Sequence, residues 1–156
     1  MGPLIKTLVA LIVSFGAGLA AIYFADPNAM QWYEGLVKPP LTPPLWSLMP
    51  LFIALYALMS ISLAVVWSSD PAISPHEGWV RFYVVQLFFN ASWILFFFGL
   101  HAILISFVAM LFLTFIIGAL IIDAWEIDKR ASYLLAPCFA VALYLAFIDL
   151  NIWFLN

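Results

Sequence analysis

Residues 32–56 read WYEGLVKPPLTPPLWSLMPLFIALY: an aromatic pair, a stretch carrying Pro39, Pro40, Pro43 and Pro44, and then an apolar run. Each proline fixes φ and removes a backbone donor, so this stretch is stiff and stays out of a helix. Pro44 suits the first turn of the helix that follows. A stiff loop loses little entropy when it closes over a ligand. Four prolines flanked by Trp32 and Trp46 are more than a plain turn needs. The segment therefore reads as a rigid polar lid over one end of an apolar helix.

The sequence on either side of the lid is almost uniformly apolar. The chain is 67% hydrophobic and 8% charged, against about 25% charged residues in a soluble domain. With a mean hydropathy of +1.15 it cannot cover a water-facing surface, and a bilayer is its expected environment. A spanning helix needs roughly 20 mostly apolar residues, and five such runs fit, at about 4–25, 44–67, 79–99, 102–125 and 131–154. Asp26-Pro27-Asn28 ends the first run. Ser68-Ser69-Asp70-Pro71 and Ser74-Pro75-His76-Glu77 separate the second from the third. Gly99-Leu100-His101 turns the chain after the third, and Glu126-Ile127-Asp128-Lys129-Arg130 divides the fourth from the fifth. The runs are too long for barrel strands and lack their alternation. Helices satisfy their own backbone groups, as hydrocarbon requires. The prediction is an all-α integral membrane protein: one domain over residues 1–156, a bundle of five transmembrane helices with a proline-rich loop between the first two.

Lys6 precedes an apolar stretch, but Leu8 to Phe24 is longer than the ~7–15-residue core of a signal peptide, so the first run reads as a retained span. Lys6, Arg81, Lys129 and Arg130 fall on the N-terminal side of the bundle and only Lys38 on the other. This bias predicts a cytoplasmic N-terminus and an outward-facing lid, in what is expected to be a bacterial cell membrane. A net charge of −3 with scattered basic residues gives no nucleic-acid surface. Cys138 is the single cysteine, which excludes an intramolecular disulfide. The Gly16-x-Gly18 pair in the first run permits a close helix approach.

Three runs carry stripes at helical spacing. Gln86, Asn90, Trp93 and Phe97 share one face of the third; Met49, Phe52, Tyr56 and Met59 share one of the second. Cys138, Val141 or Ala142, Leu145, Asp149 and Trp153 form the stripe of the fifth. The topology brings Phe52, Asn90, Trp93, Phe97, Asp149 and Trp153 to the lid end, and an aromatic pocket with few polar groups suits a flat apolar ligand. The buried amides need partners, either a neighbouring helix or a ligand. Trp67, Trp79, Trp125 and Trp153 read as interfacial belt residues. Asp149 is the exceptional group. An intramembrane carboxylate is costly, and it either serves a site, is hydrated near the headgroups, or pairs with Lys38. His76 reads as solvated, and His101 as bonded to nearby backbone. Neither has a second ligand at metal-binding spacing, and no catalytic residue set or phosphate loop is present. Asp123, Glu126 and Asp128 read as a solvated helix end.

Several blocks resemble the tryptophan-rich sensory protein family, also called the translocator protein or peripheral benzodiazepine receptor family. They are Trp32-Tyr33-x-x-Leu36-x-Lys38-Pro39, Pro43-Pro44-x-Trp46, Leu55-Tyr56, Gln86-Leu87-x-x-Asn90-x-x-Trp93 and Phe97-Phe98-Gly99, with a weaker tail through Ala131, Leu134-Leu135-x-Pro137 and Ile152-Trp153-x-Leu155-Asn156. The resemblance implies a five-helix bundle, often dimeric, with a pocket under the first loop. It also implies porphyrin binding, with sterols or synthetic ligands in some members, and roles in tetrapyrrole regulation, transport or light-dependent porphyrin breakdown. Leu41 and Phe52 stand where the family pattern usually has tryptophan. Pro137-Cys138-x-x-Val141 replaces Pro-Tyr-x-x-Trp, and Ile148-Asp149 replaces Leu-Asn. Pocket aromatics are thus fewer and a carboxylate has entered. No Lys or Arg follows Arg130, so the sterol motif of some members is absent.

Taken together, the expected ligand-binding set is Trp32, Leu48, Phe52, Asn90, Trp93, Phe97, Val141 and Asp149, with Lys38, Pro39, Pro43, Pro44 and Trp46 forming the lid. The expected function is a receptor or translocator of a planar apolar small molecule, a porphyrin, haem-type or other tetrapyrrole, with no obligatory cofactor and no metal. The expected partners are this ligand, the bilayer and a second copy of the chain. The alternatives are a transporter in which Asp149 carries a proton or recognises a cation, a light- or oxygen-dependent porphyrin-degrading enzyme, and a structural helper that binds a partner through lipid-exposed small residues.

Overall fold

The computed structural model describes residues 2–69 and 76–156. Among these residues six α-helices follow in chain order: α1 (Pro3–Tyr23), the short α2 (Ala29–Gly35), α3 (Leu45–Ser68), α4 (His76–Ile94), α5 (Ile103–Ile127) and α6 (Lys129–Leu155). Leu95–Gly99 continues α4 as a π-helical segment. No strand occurs among the described residues. Five of the described helical stretches are long and apolar enough to cross a bilayer: Pro3–Tyr23, Leu45–Ser68, Glu77–Gly99, Ile103–Ile127 and Lys129–Leu155. The chain is an all-α integral membrane protein. The predicted loop at Asp70-Pro71 through Ser74-Pro75 lies outside the described residues.

The exposed surface explains why the composition is so extreme. Ile12, Phe88, Phe115, Ile122 and Phe154 are all largely exposed, as residues bathed by acyl chains should be. Helix packing then depends on small side chains and on polar groups that find partners. Ser14 Oγ and Tyr83 Oη meet at 2.8 Å between α1 and α4. Ser62 Oγ of α3 donates to Ala131 O of α6 (3.1 Å), and Ser132 Oγ of α6 to Ile121 O of α5 (2.8 Å). Asp128 caps α6 by accepting from the Arg130 amide. Pro50 and Pro137 sit inside α3 and α6 on exposed faces.

Trp79 departs from the belt reading. It is 3% exposed and its Nε1 donates to Leu120 O (3.0 Å), so it joins α4 to α5 inside the bundle. Trp125 is exposed, with the Lys129 ammonium over its ring at 5.2 Å. Trp153 is also exposed, and its neighbour Ile152 is the residue that faces the bundle interior.

Candidate functional site under the proline lid

The lid starts with a turn of helix that the loop reading did not include. Trp32 and Tyr33 lie on α2, while the proline stretch itself is non-helical. The Asp26 amide donates to Phe98 O (3.0 Å), tying the entrance of the lid to the π-helical segment. Beyond α2, Thr42 closes a turn on Pro39 O through both its amide (3.0 Å) and its hydroxyl (2.8 Å). A tyrosine of α6 and the residue that caps α6 then hold the lid down. Tyr144 Oη donates to Leu41 O. Asn156 grips Val37 from both sides, accepting from its amide (3.0 Å) and donating to its carbonyl (2.9 Å). Tyr33, 5% exposed beneath the lid, donates its hydroxyl to Pro43 O (3.4 Å). Burial, reinforced by the charges of Asp149 and Tyr144, pushes the Tyr33 phenol up to about 12.

Two small cavities lie below. The inner one, about 20 Å³, lies between α3, α4, α5 and α6 and is lined by Phe52, Tyr56, Asn90, Trp93, Cys138 and Val141 among others. The lid cavity, about 10 Å³, is lined by Tyr33, Pro43, Leu48, Trp93, Phe97, Phe98, Leu145, Ile148, Asp149 and Ile152. Trp93 and Leu145 line both. A site that holds one water needs about 10–15 Å³, so neither has room for a larger molecule.

Two polar groups of the inner cavity meet each other. Tyr56 Oη donates to Asn90 Oδ1 at 2.5 Å, joining α3 to α4. Next to it, Phe52 meets Trp93 edge-on (centroids 5.7 Å apart), and Trp93 stacks on Phe97 at 5.8 Å. The Trp93 indole Nε1 donates to Asp149 Oδ2 at 2.7 Å, and Ser106 Oγ lies 3.4 Å from the same oxygen. Asp149 Oδ1 takes no hydrogen bond from any described residue.

This geometry replaces two expectations. Asp149 is 2% exposed, so it is neither hydrated near the headgroups nor paired with Lys38. Lys38 Nζ instead donates to Tyr33 O (2.5 Å) and Glu34 O (3.3 Å) and lies over the Tyr33 ring at 4.7 Å. His101 is likewise not bonded to backbone: it stacks on Trp32 at 4.1 Å with Nε2 3.3 Å from Asp26 Oδ2. Its φ of 54° lets the chain reverse sharply after the π-helical segment.

Of the eight expected ligand-facing residues, Phe52, Asn90 and Val141 line the inner cavity, Leu48, Phe97 and Asp149 the lid cavity, and Trp93 both. Trp32 lines neither; it is wedged between His101 and Phe97. Among the lid residues, Pro43 reaches the lid cavity, whereas Lys38, Pro39, Pro44 and Trp46 do not, and Trp46 is 78% exposed. Gln86 is fully buried with Nε2 against Met59 Sδ and lines neither cavity. Ser106 and Tyr33 were missed as site residues. Nothing local marks Ser106, while Tyr33 belongs to the aromatic pair that opens the lid motif. No cluster of three His, Cys, Asp or Glu that would hold a metal occurs among the described residues.

Five spans, a proline lid and an aromatic pocket beneath it accompany a family match over residues 8–154, to the TspO/MBR family. The chain belongs to that family. Its relatives include a tryptophan-rich protein TspO of Archaeoglobus fulgidus, 27% identical over 98% of this chain and 98% of the relative. A translocator protein of Bos taurus is 30% identical over 92% of this chain and 85% of the relative, and the protein CrtK of Rhodobacter capsulatus is 29% identical over 90% and 86%. The match covers both the lid and the helices that build the two cavities, so this membrane protein is of the translocator or receptor type. Asp149 and the Trp93 indole form the polar centre of the candidate site.

Proposed function

We propose that this protein binds a planar apolar ligand, a porphyrin or related tetrapyrrole, in the space now divided into the inner and lid cavities. The observation that carries this reading is the placement of Trp93. Its indole forms a wall of both cavities, stacks on Phe97 and meets Phe52 edge-on. Ligand pockets of about 300–1,000 Å³ are usual for drug-sized molecules, far more than these cavities hold. Binding therefore requires the lid to lift and the indole to swing. The lid's attachments to α6, through Asn156 and Tyr144, are few hydrogen bonds near the surface, and they are the contacts that would release.

The test is titration of the purified protein with protoporphyrin IX, followed by the shift of the porphyrin's main absorption band. Saturable binding is expected, weakened about tenfold or more in Trp93→Ala and in Phe52→Ala, since stacked aromatic contacts contribute ~0.5–1.5 kcal/mol beyond buried area. Trp125→Ala, at an exposed position away from both cavities, should leave affinity unchanged. Unchanged affinity in Trp93→Ala would remove this pocket assignment. A second reading, transport in which Asp149 carries a proton, is favoured by the burial of that carboxyl. It predicts flux in proteoliposomes that depends on a pH gradient and is lost in Asp149→Asn.

A further inference from the structure

The lid cavity has an unusual composition for a place meant to receive an apolar molecule or a carboxylic acid. Its walls carry four aromatic rings, Tyr33, Trp93, Phe97 and Phe98, and one carboxyl, Asp149; no Lys, Arg or His is among them. The rings are packed against one another, with Tyr33–Phe97 centroids 6.1 Å apart, Tyr33–Phe98 5.9 Å and Trp93–Phe98 6.0 Å. We infer that the lid cavity is a subsite for a cationic ammonium head group, held by Asp149 and the surrounding ring faces, on a ligand whose planar body occupies the inner cavity. The inference rests on the ligand-pocket reading above and names the charge of the ligand's lid-facing end, so the carboxylates of a porphyrin would have to face away from the lid cavity.

The reasoning starts from what the protein leaves undone. A carboxyl removed from water either takes up a proton or, to stay ionised, needs a cation or a full set of donors. Asp149 has two neutral donors, both on Oδ2, and none on Oδ1 among the described residues. The chain's five Lys and Arg residues have other places. Lys38, the one in the lid, is held by the Tyr33 and Glu34 carbonyls. Lys6 donates to Trp67 O, Arg81 pairs with Glu77, Lys129 lies over Trp125, and Arg130 sits exposed in the first turn of α6. None supplies a countercharge to Asp149. Aromatic faces attract the same species, since a cation over a ring quadrupole gains ~0.5–2 kcal/mol, more when desolvated. A carboxylate and several rings around one small space is the chemistry that recognises ammonium groups, and it opposes an acid. Trp93, shared by both cavities, would contact both the planar body and the head group. Its N–H on Oδ2 leaves Oδ1 for the incoming donor.

The experiment uses three naphthalenes that differ in one substituent: naphthylmethylammonium, methylnaphthalene and naphthoate. Their affinities for the full chain in zwitterionic nanodiscs are measured by equilibrium dialysis at neutral pH, with empty nanodiscs as the blank. The expected order is ammonium tighter than methylnaphthalene by about tenfold or more, with naphthoate weakest. In Asp149→Asn, a near-isostere whose amide oxygen still accepts from Trp93, the ammonium advantage over methylnaphthalene should vanish, while Trp125→Ala, at an exposed position away from both cavities, should keep it. Equal affinities for ammonium and methylnaphthalene in the wild type overturn the inference and leave the pocket reading standing. So does an ammonium advantage that persists in Asp149→Asn. Failure of all three to bind saturably overturns the pocket reading and the inference together.

Discussion

Replacing Gly18 with alanine should be costly, and the structure says by how much. A Cβ at this position would lie 2.8 Å from Tyr56 Cζ, 2.9 Å from its Oη and 3.0 Å from Cε2. Tyr56 has little room to yield: it is 5% exposed, its hydroxyl is bonded to Asn90 Oδ1 at 2.5 Å, and its ring rests against Phe15 with centroids 5.6 Å apart. Gly18→Ala must therefore push the ring and strain or break the Tyr56–Asn90 bond, or separate α1 from α3. Overpacking costs ~1–3 kcal/mol and a lost buried hydrogen bond ~0.5–1.5 kcal/mol, offset by a helix-propensity gain of ~0.8–1 kcal/mol. The expected net destabilisation is about 1–3 kcal/mol, a fall in Tm of roughly 2–12 °C for a chain of this length. Gly16 provides the control, because nothing lies within 4 Å of a Cβ there. Gly16→Ala should be neutral or stabilising by up to about 1 kcal/mol. Thermal unfolding in detergent measures both, and Gly18→Ala should cost far less in a Tyr56→Leu background. Equal Tm values for the two alanine variants, or additive costs of Gly18→Ala and Tyr56→Leu, would refute the packing argument.

Two further outcomes concern the lid. Asn156→Ala removes both hydrogen bonds to Val37; at this exposed position the loss is about 1 kcal/mol, so the Val37 amide should exchange roughly fivefold faster, and an unchanged rate would show that the clasp does not hold the lid. The Tyr33 phenol, raised from 10.0 to about 12 by burial first and by Asp149 and Tyr144 next, stays neutral in the closed lid after an exposed phenol has ionised. Its contribution is therefore complete below pH ~10 and lost as pH rises through about 12. Tyr33→Phe should abolish that part of the alkaline loss of stability, and an identical alkaline profile for wild type and variant would count against it.

The spans were legible because the information is local. An apolar run of about 20 residues has few alternatives to crossing the bilayer, and the breaks at Asp26-Pro27-Asn28 and Glu126 to Arg130 bound the helices to within a few residues. Tryptophans were less legible, since a span end attracts an indole for two reasons. Trp125 is exposed near its helix end as a belt residue would be, whereas Trp79 is buried against a carbonyl of the neighbouring helix. Within the site, helical spacing correctly grouped Trp93 with Phe97, but it carried no sign of Ser106, whose role depends on α5 packing beside α6. Asp149 was recognised as exceptional and its surroundings were misjudged. Distance from the helix end suggests access to the headgroups, yet the folded lid and Trp93 seal it from them.

The sequence alone determined the medium, the number of spans and the family resemblance. Each follows from composition, run length or short motifs, which act within a few residues of themselves. Only the tertiary structure decided which polar groups meet: Trp93 with Asp149 across 56 positions, Tyr56 with Asn90 across 34, and Asn156 with Val37 across 119. It also decided how little room the cavities leave. Pairings of this kind depend on how whole helices rotate and seat against one another. In hydrocarbon that seating is set by close packing and by partners for buried polar groups, to which a hydrophobic pattern that is nearly uniform around α3, α4, α5 and α6 gives little direction.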